Sequence, residues 1–466
     1  MKKILFLFLM TLFTSQIFAQ ASNEDALFIK SIYNRTLSEG QSYRWEEHLT
    51  QKVGNRISGS ENYMRAVKWA KATLDTLGLD SVWLQPCMVP HWVRGEKEEA
   101  KIIDSGSMGT FNLNVLALGG SGATRKKGIA AQVIEVKSLD EVDKLGDKLK
   151  GKIVFYNRPM DVTQITTGAA YGGAVDQRVA GPARAAKYGA VATLTRSMTT
   201  LLDDNPHTGT TQFPDNQTPI PALSISTNHA ELLSALLKKE TVTVFVKTSC
   251  EKLPDVEQFS VIGQIRGSEK PNEFISIGGH LDSWDVGQGA HDDGTGCVQS
   301  MDVLYILKKT GYKPKHTIRC VLFANEENGL AGGKKYAEEA ERKGEKHLAA
   351  IESDGGGNSP RGFSFEGDES IFTKSFKNVM QWSDLFENYS LILKKGGSGA
   401  DISPLKKQKT FLVGLNADSQ RYFDYHHTNV DTFDKVNERE LKLGAAAMTA
   451  LTYLMDKYGL ENEVKN

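Results

Sequence analysis

The sequence predicts an α/β fold: a mostly parallel mixed sheet with helices on both faces. Three observations carry it. Beyond residue 248 the chain alternates short β-branched apolar runs with amphipathic helical runs, as parallel sheets covered by helices do. Its 466 residues exceed one typical core, so two domains, or one with a large insertion, are expected. The densest acids and histidines each follow a predicted strand, and a doubly wound sheet gathers such positions outside the carboxyl ends of its strands.

In chain order, Lys2-Lys3, the apolar run Ile4 to Phe13 and Phe18-Ala19 read as a secretory signal over residues 1–19, cleaved near Ala19 or Gln20. The run is shorter than the roughly 20 residues a membrane span needs, and no later segment is long and apolar enough. Residues 20–113 are read as a mainly helical part of the catalytic domain. Ala66, Trp69, Ala70, Leu74 and Leu77 recur at helical intervals until Gly78. Between its helices the turn GNRISGS, Gly54 to Ser60, either faces a cleft or caps the next helix, and capping is the simpler reading.

From Asn114 to Lys247 the character changes to short β-like runs among glycines and alanines, including Val133 to Val136, Gly151 to Phe155 and Ile220 to Ile225. An Ala-rich helix and a strand fill Gly181 to Thr195. No metal-ligand cluster occurs, and this stretch is expected to fold as an inserted α+β lobe serving as a lid or a binding lobe.

The last part, 248–466, carries strands at Val261 to Arg266, Phe274 to Ile277, Thr317 to Ala324, Leu348 to Ile351 and Phe411 to Leu415. Helices are expected at Gly296 to Lys309, Gly332 to Arg342, Ser370 to Trp382 and Glu438 to Tyr458. With Lys+Arg 56 against Asp+Glu 57 and a net charge of -1, bulk charge argues for neither nucleic acid nor an acidic membrane surface as partner. Cys297 and Cys320 sit in apolar patterns and read as buried thiols.

Chemistry concentrates in Gly278 to Gly296, GGHLDSWDVGQGAHDDGTG. His280 and Asp282 stand two apart, so one can ligate while the other holds its ring. Asp292-Asp293 is a carboxylate pair too costly to leave uncompensated. Asn325-Glu326-Glu327, Asp354 and His426-His427 each follow a later strand. Imidazole and carboxylate donors without thiolate suit zinc or another first-row ion, and the acids are too many for one tetrahedral ion. Two ions about 3.5–4 Å apart, sharing a carboxylate, would use them and leave one acid free as general base. Adjacent Glu326 and Glu327 fit that division.

GGHLDSW, HDDGTG, NEE, ESDGG and HHTNVDT, in this order and spacing, resemble the zinc exopeptidases of peptidase family M28, most closely the carboxypeptidase Q branch. The resemblance spans nearly the whole mature chain, and residues 114–247 look like a protease-associated domain. It implies two cocatalytic Zn2+ ions: His280 and Asp354 on one, Glu327 and His427 on the other, Asp292 bridging. It implies Glu326 as general base on a metal-bridging water, Asp282 orienting His280, Asp431 as the acid after the last histidine, and a cis peptide between Asp292 and Asp293. Where many relatives have a tyrosine before the last ligand histidine, this chain has His426, so oxyanion help falls to His426, Tyr425 or a loop group. Ligation by His426 instead of His427 stays open, although Thr428 favours His427. The loop Lys394 to Ser403 resembles the segment lining the substrate pocket, with Ser398 or Asp401 binding a peptide terminus. The implied protein is an exported peptidase acting on dipeptides or short peptides, and a homodimer. An aminopeptidase on the same scaffold, a non-catalytic binding protein, and a one-zinc glutaminyl-cyclase-like transferase are the rivals.

Overall fold

The computed structural model describes residues 23–460, so the signal read at 1–19 lies outside the described residues. Two eight-stranded sheets organise the chain. From edge to edge the first runs Ser81–Val93, Glu251–Ile265, His316–Phe323, Lys270–His280, Lys346–Glu352, Phe411–Ala417, Pro360–Glu366 and Ile392–Lys395. Its four middle strands are mutually parallel, while antiparallel pairings join the two strands on the Ser81 side and seat Pro360–Glu366 against Phe411–Ala417.

The side chains of these middle strands alternate between two cores, because successive residues of a strand point to opposite faces. Cys320, Leu322, Ile351 and Val413 enter the larger core with the helices Thr295–Thr310 and Glu438–Tyr458. Their neighbours Val321, Phe323, Ala350 and Leu412 enter another, with Tyr336, Ala337 and Ala340 of the helix Ala331–Lys343. Burial on both faces is why these strands read as continuous apolar runs and not as an alternation.

Three strands of this sheet escaped the sequence reading. Ser81–Val93, inside the stretch read as helical, is an edge strand that alternates buried Gln85, Cys87 and Val89 with exposed Pro86 and Met88. A polar residue facing inward and a proline facing out hide the period, and proline is tolerated at an edge. Pro360–Glu366 and Ile392–Lys395 are short, and the second, at the far edge, occupies part of the predicted loop at 394–403.

The second sheet runs Phe111–Asn112, Glu99–Asp104, Thr243–Lys247, Ile129–Val136, Ile153–Tyr156, Ala192–Arg196, Ala222–Ile225 and Val115–Ala117. It takes in residues ahead of Asn114, since Glu99–Asp104 pairs antiparallel with Thr243–Lys247. Val133, Phe155, Leu194, Leu223 and Ile225 share a core separate from that of the first sheet. All four cysteines are free and buried. Among the described residues no helix is long and apolar enough to cross a membrane.

Candidate metal centre

His280 is the last residue of the Lys270–His280 strand. Asn325, Glu326 and Glu327 follow His316–Phe323, and Asp354 follows Lys346–Glu352. His426 and His427 come after Phe411–Ala417 by way of the short helix Tyr422–Tyr425. The first three of these strands and Phe411–Ala417 are parallel neighbours, so their carboxyl ends open on one edge and bring the groups together.

Asp292 stands between two sets of donors. Its Oδ1 lies 3.2 Å from His280 Nε2, which is 3.5 Å from Asp354 Oδ1. Its Oδ2 lies 3.0 Å from His427 Nε2, which is 3.0 Å from Glu327 Oε2. His426 stacks on His427 with ring centroids 3.5 Å apart, its Nε2 3.6 Å from Asp292 Oδ2. Two groups can thus hold a metal ion, Asp292 with His280 and Asp354, and Asp292 with His426 and His427.

The local sequence explains how each group is aimed. The Asp292-Asp293 peptide is cis. Asp293 turns away from the donors: its Oδ2 accepts from the His280 amide at 3.0 Å and its Oδ1 from the Gly296 amide at 2.9 Å. Gly279 makes this possible, because a Cβ there would collide with the Asp293 carboxylate. Asn325 adopts φ 65, a left-handed conformation that asparagine tolerates, and presents Glu326 and Glu327 beyond it. His427, at φ 61, is also left-handed.

The supporting contacts differ partly from expectation. His280 Nδ1 is 2.9 Å from the Asp282 carbonyl oxygen and 3.9 Å from its carboxylate, so the hydrogen bond goes to the carbonyl. The carboxylate accepts instead from the amides of Glu326 at 3.0 Å and Glu327 at 3.3 Å, so Asp282 ties two motifs together. Asp431 accepts from the His291 and Asp292 amides at 2.8 and 3.2 Å. Ser60 caps the helix Glu61–Asp75 by accepting from Tyr63, as the turn suggested, but Arg56 in the same turn does more. Fully buried, it donates to the carbonyls of Leu281, Gln288 and Gly289 at 2.6, 2.8 and 2.9 Å and braces the whole loop from His280 to Asp292.

Three residues expected at the substrate do not line the cavity. Ser398 is not at the cavity: its amide and hydroxyl both donate to Glu366 Oε1, at 3.0 and 2.8 Å. Tyr425 stacks on His291 and does not line the cavity, whereas Tyr422 and Tyr171 do. Asp401 is buried, does not line the cavity, and neither of its carboxylate oxygens has a partner.

The electrostatics call for cations. Burial pushes the Asp292 carboxyl up, but the imidazoles of His280 and His427 beside it outweigh burial and hold it well below the usual carboxylate range. Burial depresses His427, yet Glu327 and Asp292 raise it to about 10. His280 is likewise raised against burial by Asp292 and Asp354. These imidazoles are driven to carry charge by the acids around them, and a divalent cation meets the same demand. Glu327 Oε1 is buried without a partner, and Asp292 Oδ2, although 3.0 Å from His427 Nε2, makes no hydrogen bond with it. Carboxylate oxygens and imidazole nitrogens left in this way fit first-row metal ions. Burial, with Asp354 and Glu327 nearby, raises the Glu326 carboxyl well above its ordinary range.

The groups open on a cavity of about 1150 Å³, lined by Asp292, Glu326, Glu327, Asp354, His426 and His427 on one side. The opposite wall comes from the second sheet's connections, among them Tyr171, Thr211 and Phe213. One of these connections reaches the centre itself: the Thr208 amide donates to the His427 carbonyl at 2.9 Å, and the Thr208 carbonyl lies 3.2 Å from His427 Nδ1. Nothing in the sequence around Thr208 signals this.

The sequence model of peptidase family M28 matches residues 260–452. Carboxypeptidase Q of Bos taurus is 33% identical over 432 residues, covering 91% of this chain and 88% of that protein. The crystal structure of a peptidase M28 precursor from Shewanella amazonensis superposes with a TM-score of 0.88 at 33% identity, covering 93% of this chain and 97% of that one. A zinc aminopeptidase from Bacillus subtilis shares the fold, with a TM-score of 0.62 at 19% identity over 89% of this chain and 94% of its own. Similarity at this level along most of the chain, over a cavity edged by paired donor sets, shows that the protein belongs to peptidase family M28 and is a metallo-exopeptidase.

Proposed function

We propose that the protein is an exported di-zinc exopeptidase that hydrolyses dipeptides or short peptides, in the manner of the carboxypeptidase Q proteins it resembles. The observation that carries this reading is the division of Asp292, with Oδ1 toward His280 and Asp354 and Oδ2 toward His427 and Glu327. In this reading Asp292 would be shared, with His280 and Asp354 to hold one ion and His427 and Glu327 to hold the other. His427 is preferred to His426 because its Nε2 lies 3.0 Å from both Asp292 and Glu327, whereas His426 stands 3.6 Å from Asp292 alone. Zinc bound there supplies Lewis acidity to a peptide carbonyl and lowers the pKa of water.

The chain's own residues do the rest. Glu326 faces the cavity beside the donors, and its carboxylate takes a proton from the attacking water and returns it to the leaving amine. Asp282, through the Glu326 amide, fixes where that carboxylate stands. Tyr171, Thr211 and Phe213 wall the cavity across from the centre. Export rests on Lys2-Lys3 and the apolar run that follows.

The test is hydrolysis of an unblocked dipeptide by zinc-replete protein, with Glu326→Gln alongside. The variant is expected to retain zinc, measured by elemental analysis, and to lose about 10²–10⁴-fold in turnover, the usual contribution of a general base. Wild-type turnover by the variant would show that Glu326 is not the base. A zinc-loaded wild type without peptidase activity would remove the reading altogether.

A further inference from the structure

The lobe sends one buried cation into the cavity. Arg178, in the short helix Asp176–Val179, is 4% exposed and lines the same space as Asp292, Glu326 and His427. Among the described residues no carboxylate lies within ion-pairing distance of it. Its contacts are neutral: Nη2 donates to the Tyr171 hydroxyl at 2.7 Å, Nη1 to the Thr208 carbonyl at 3.4 Å, and the guanidinium lies 5.4 Å from the centre of the Tyr171 ring. Nε is buried and has no partner. Buried guanidinium groups are ordinarily paired with an anion, and here the protein provides none. The cavity's other cations differ, since Lys252 and Lys334 are exposed.

Its place relative to the donors is defined by one atom. The Thr208 carbonyl oxygen touches Arg178 Nη1 on one side, at 3.4 Å, and His427 Nδ1 on the other, at 3.2 Å. The guanidinium therefore stands one carbonyl away from the ring that faces Asp292 and Glu327. In a peptide substrate, the carboxylate of the last residue is separated from the scissile carbonyl by a single residue, about 3.5 Å of chain. A substrate with its scissile carbonyl at the donors would therefore hold that carboxylate a short way along the cavity that Arg178 also lines. Nε and the unused N–H groups of the fork suit a planar carboxylate.

We infer that Arg178 receives the C-terminal carboxylate of the substrate and so makes this enzyme a carboxypeptidase rather than an aminopeptidase, an assignment that rests on the exopeptidase reading above. An acidic side chain on the last residue offers the same chemistry, but it stands farther from the scissile bond than the main-chain carboxylate does. Tyr171 is a positioning residue: its hydroxyl holds Nη2 and its ring lies against the guanidinium.

The experiment uses the full zinc-loaded protein and four substrates: Ala-Ala, N-acetyl-Ala-Ala, N-acetyl-Ala-Ala-amide, and N-acetyl-Ala-Glu-amide, whose only carboxylate is in the side chain. The wild type is expected to cleave the two free acids and to act on both amides at least about 10–100-fold less well, the range of a lost charged hydrogen bond. Arg178→Met should raise KM for the acids by a similar factor with kcat little changed, and so level acids and amides. Arg178→Lys should recover part of the difference. Tyr171→Phe, which leaves the buried cation in place, should raise KM for the acids alone and keeps the test independent of whether Arg178→Met folds.

An Arg178→Met protein that keeps the acid-over-amide preference, a wild type that cleaves the amides but not the N-acetylated acid, or Arg178-dependence confined to the glutamyl amide would each overturn the assignment. If the wild type cleaves no peptide, the exopeptidase reading fails on its own. Arg178 is then judged by calorimetric titration of alanine against alaninamide: carboxylate-dependent binding lost in Arg178→Met supports the assignment, and equal binding by both proteins overturns it.

Discussion

Thr208 and His427 hold each other from different sheets' connections, the Thr208 amide on the His427 carbonyl at 2.9 Å and the Thr208 carbonyl 3.2 Å from His427 Nδ1. The lobe is thereby part of the centre and more than a cover, because it sets the orientation of an imidazole that faces two carboxylates. Thr208→Pro removes the N–H and is expected to lower zinc affinity or kcat by about 10–100-fold, the usual weight of a group that orients a ligand. Zinc titration of the chelator-treated protein reads the change, and an unaltered affinity and kcat would show that the lobe does not position His427.

Asp431 supports the other side of the centre by accepting from the His291 and Asp292 amides. Asp431→Leu leaves both buried donors unsatisfied and is expected to cost about 2–6 kcal/mol, from about 1–3 per group. Urea unfolding of the two proteins with zinc removed measures it without contribution from metal binding.

Zinc itself should stabilise the fold. With free zinc at 100-fold its Kd, unfolding is expected to become harder by about 2.7 kcal/mol through binding to the folded state. Chelation should remove that increment. Glu327→Gln, which deletes a carboxylate at the His427 end, should reduce it, since the same zinc concentration then lies closer to Kd. Calorimetric unfolding with and without zinc checks both, and a zinc-independent midpoint in the wild type would contradict the proposed ligand set.

Away from the centre, Asp302 gives a pH dependence of defined sign. Its carboxylate is fully buried in the helix Thr295–Thr310 and accepts from the Gln41 and Ser42 amides at 3.0 and 3.2 Å. Burial raises it from 3.8 to about 6. A carboxyl raised on folding contributes stability that is fully present below its unfolded value and is lost as pH rises through the folded one. Stability attributable to this group should therefore fall by about 3 kcal/mol between roughly pH 4 and pH 6. The difference in urea midpoint between wild type and Asp302→Asn, followed across that window, isolates it; a constant difference would mean that Asp302 titrates normally.

Much of the site was legible because its chemistry is local in sequence. His280, Asp292, the pair Glu326-Glu327, Asp354 and His426-His427 all follow strands, and a parallel sheet takes such positions to one edge whatever its details. The strands that escaped were those whose pattern depends on neighbours: Ser81–Val93 buries Gln85 and exposes Met88, which makes sense only at the edge it occupies. Ser398 and Tyr425 were misplaced for a related reason. Sequence puts them near the site, but Glu366 and His291, both distant in the chain, draw them away from the cavity.

The sequence by itself determined the donor types, the alternation that builds the sheet, and the resemblance to the family, since each depends on residue identity and short-range period. Only the tertiary structure decided which atoms meet. That Asp282 lends His280 its carbonyl and keeps its carboxylate for two amides, that Arg56 braces a loop more than 220 residues away, and that Thr208 and Arg178 reach the centre from another sheet are outcomes of packing. Hydrogen bonds act over about 3 Å, and no pattern of neighbours along the chain records which distant segment will come that close.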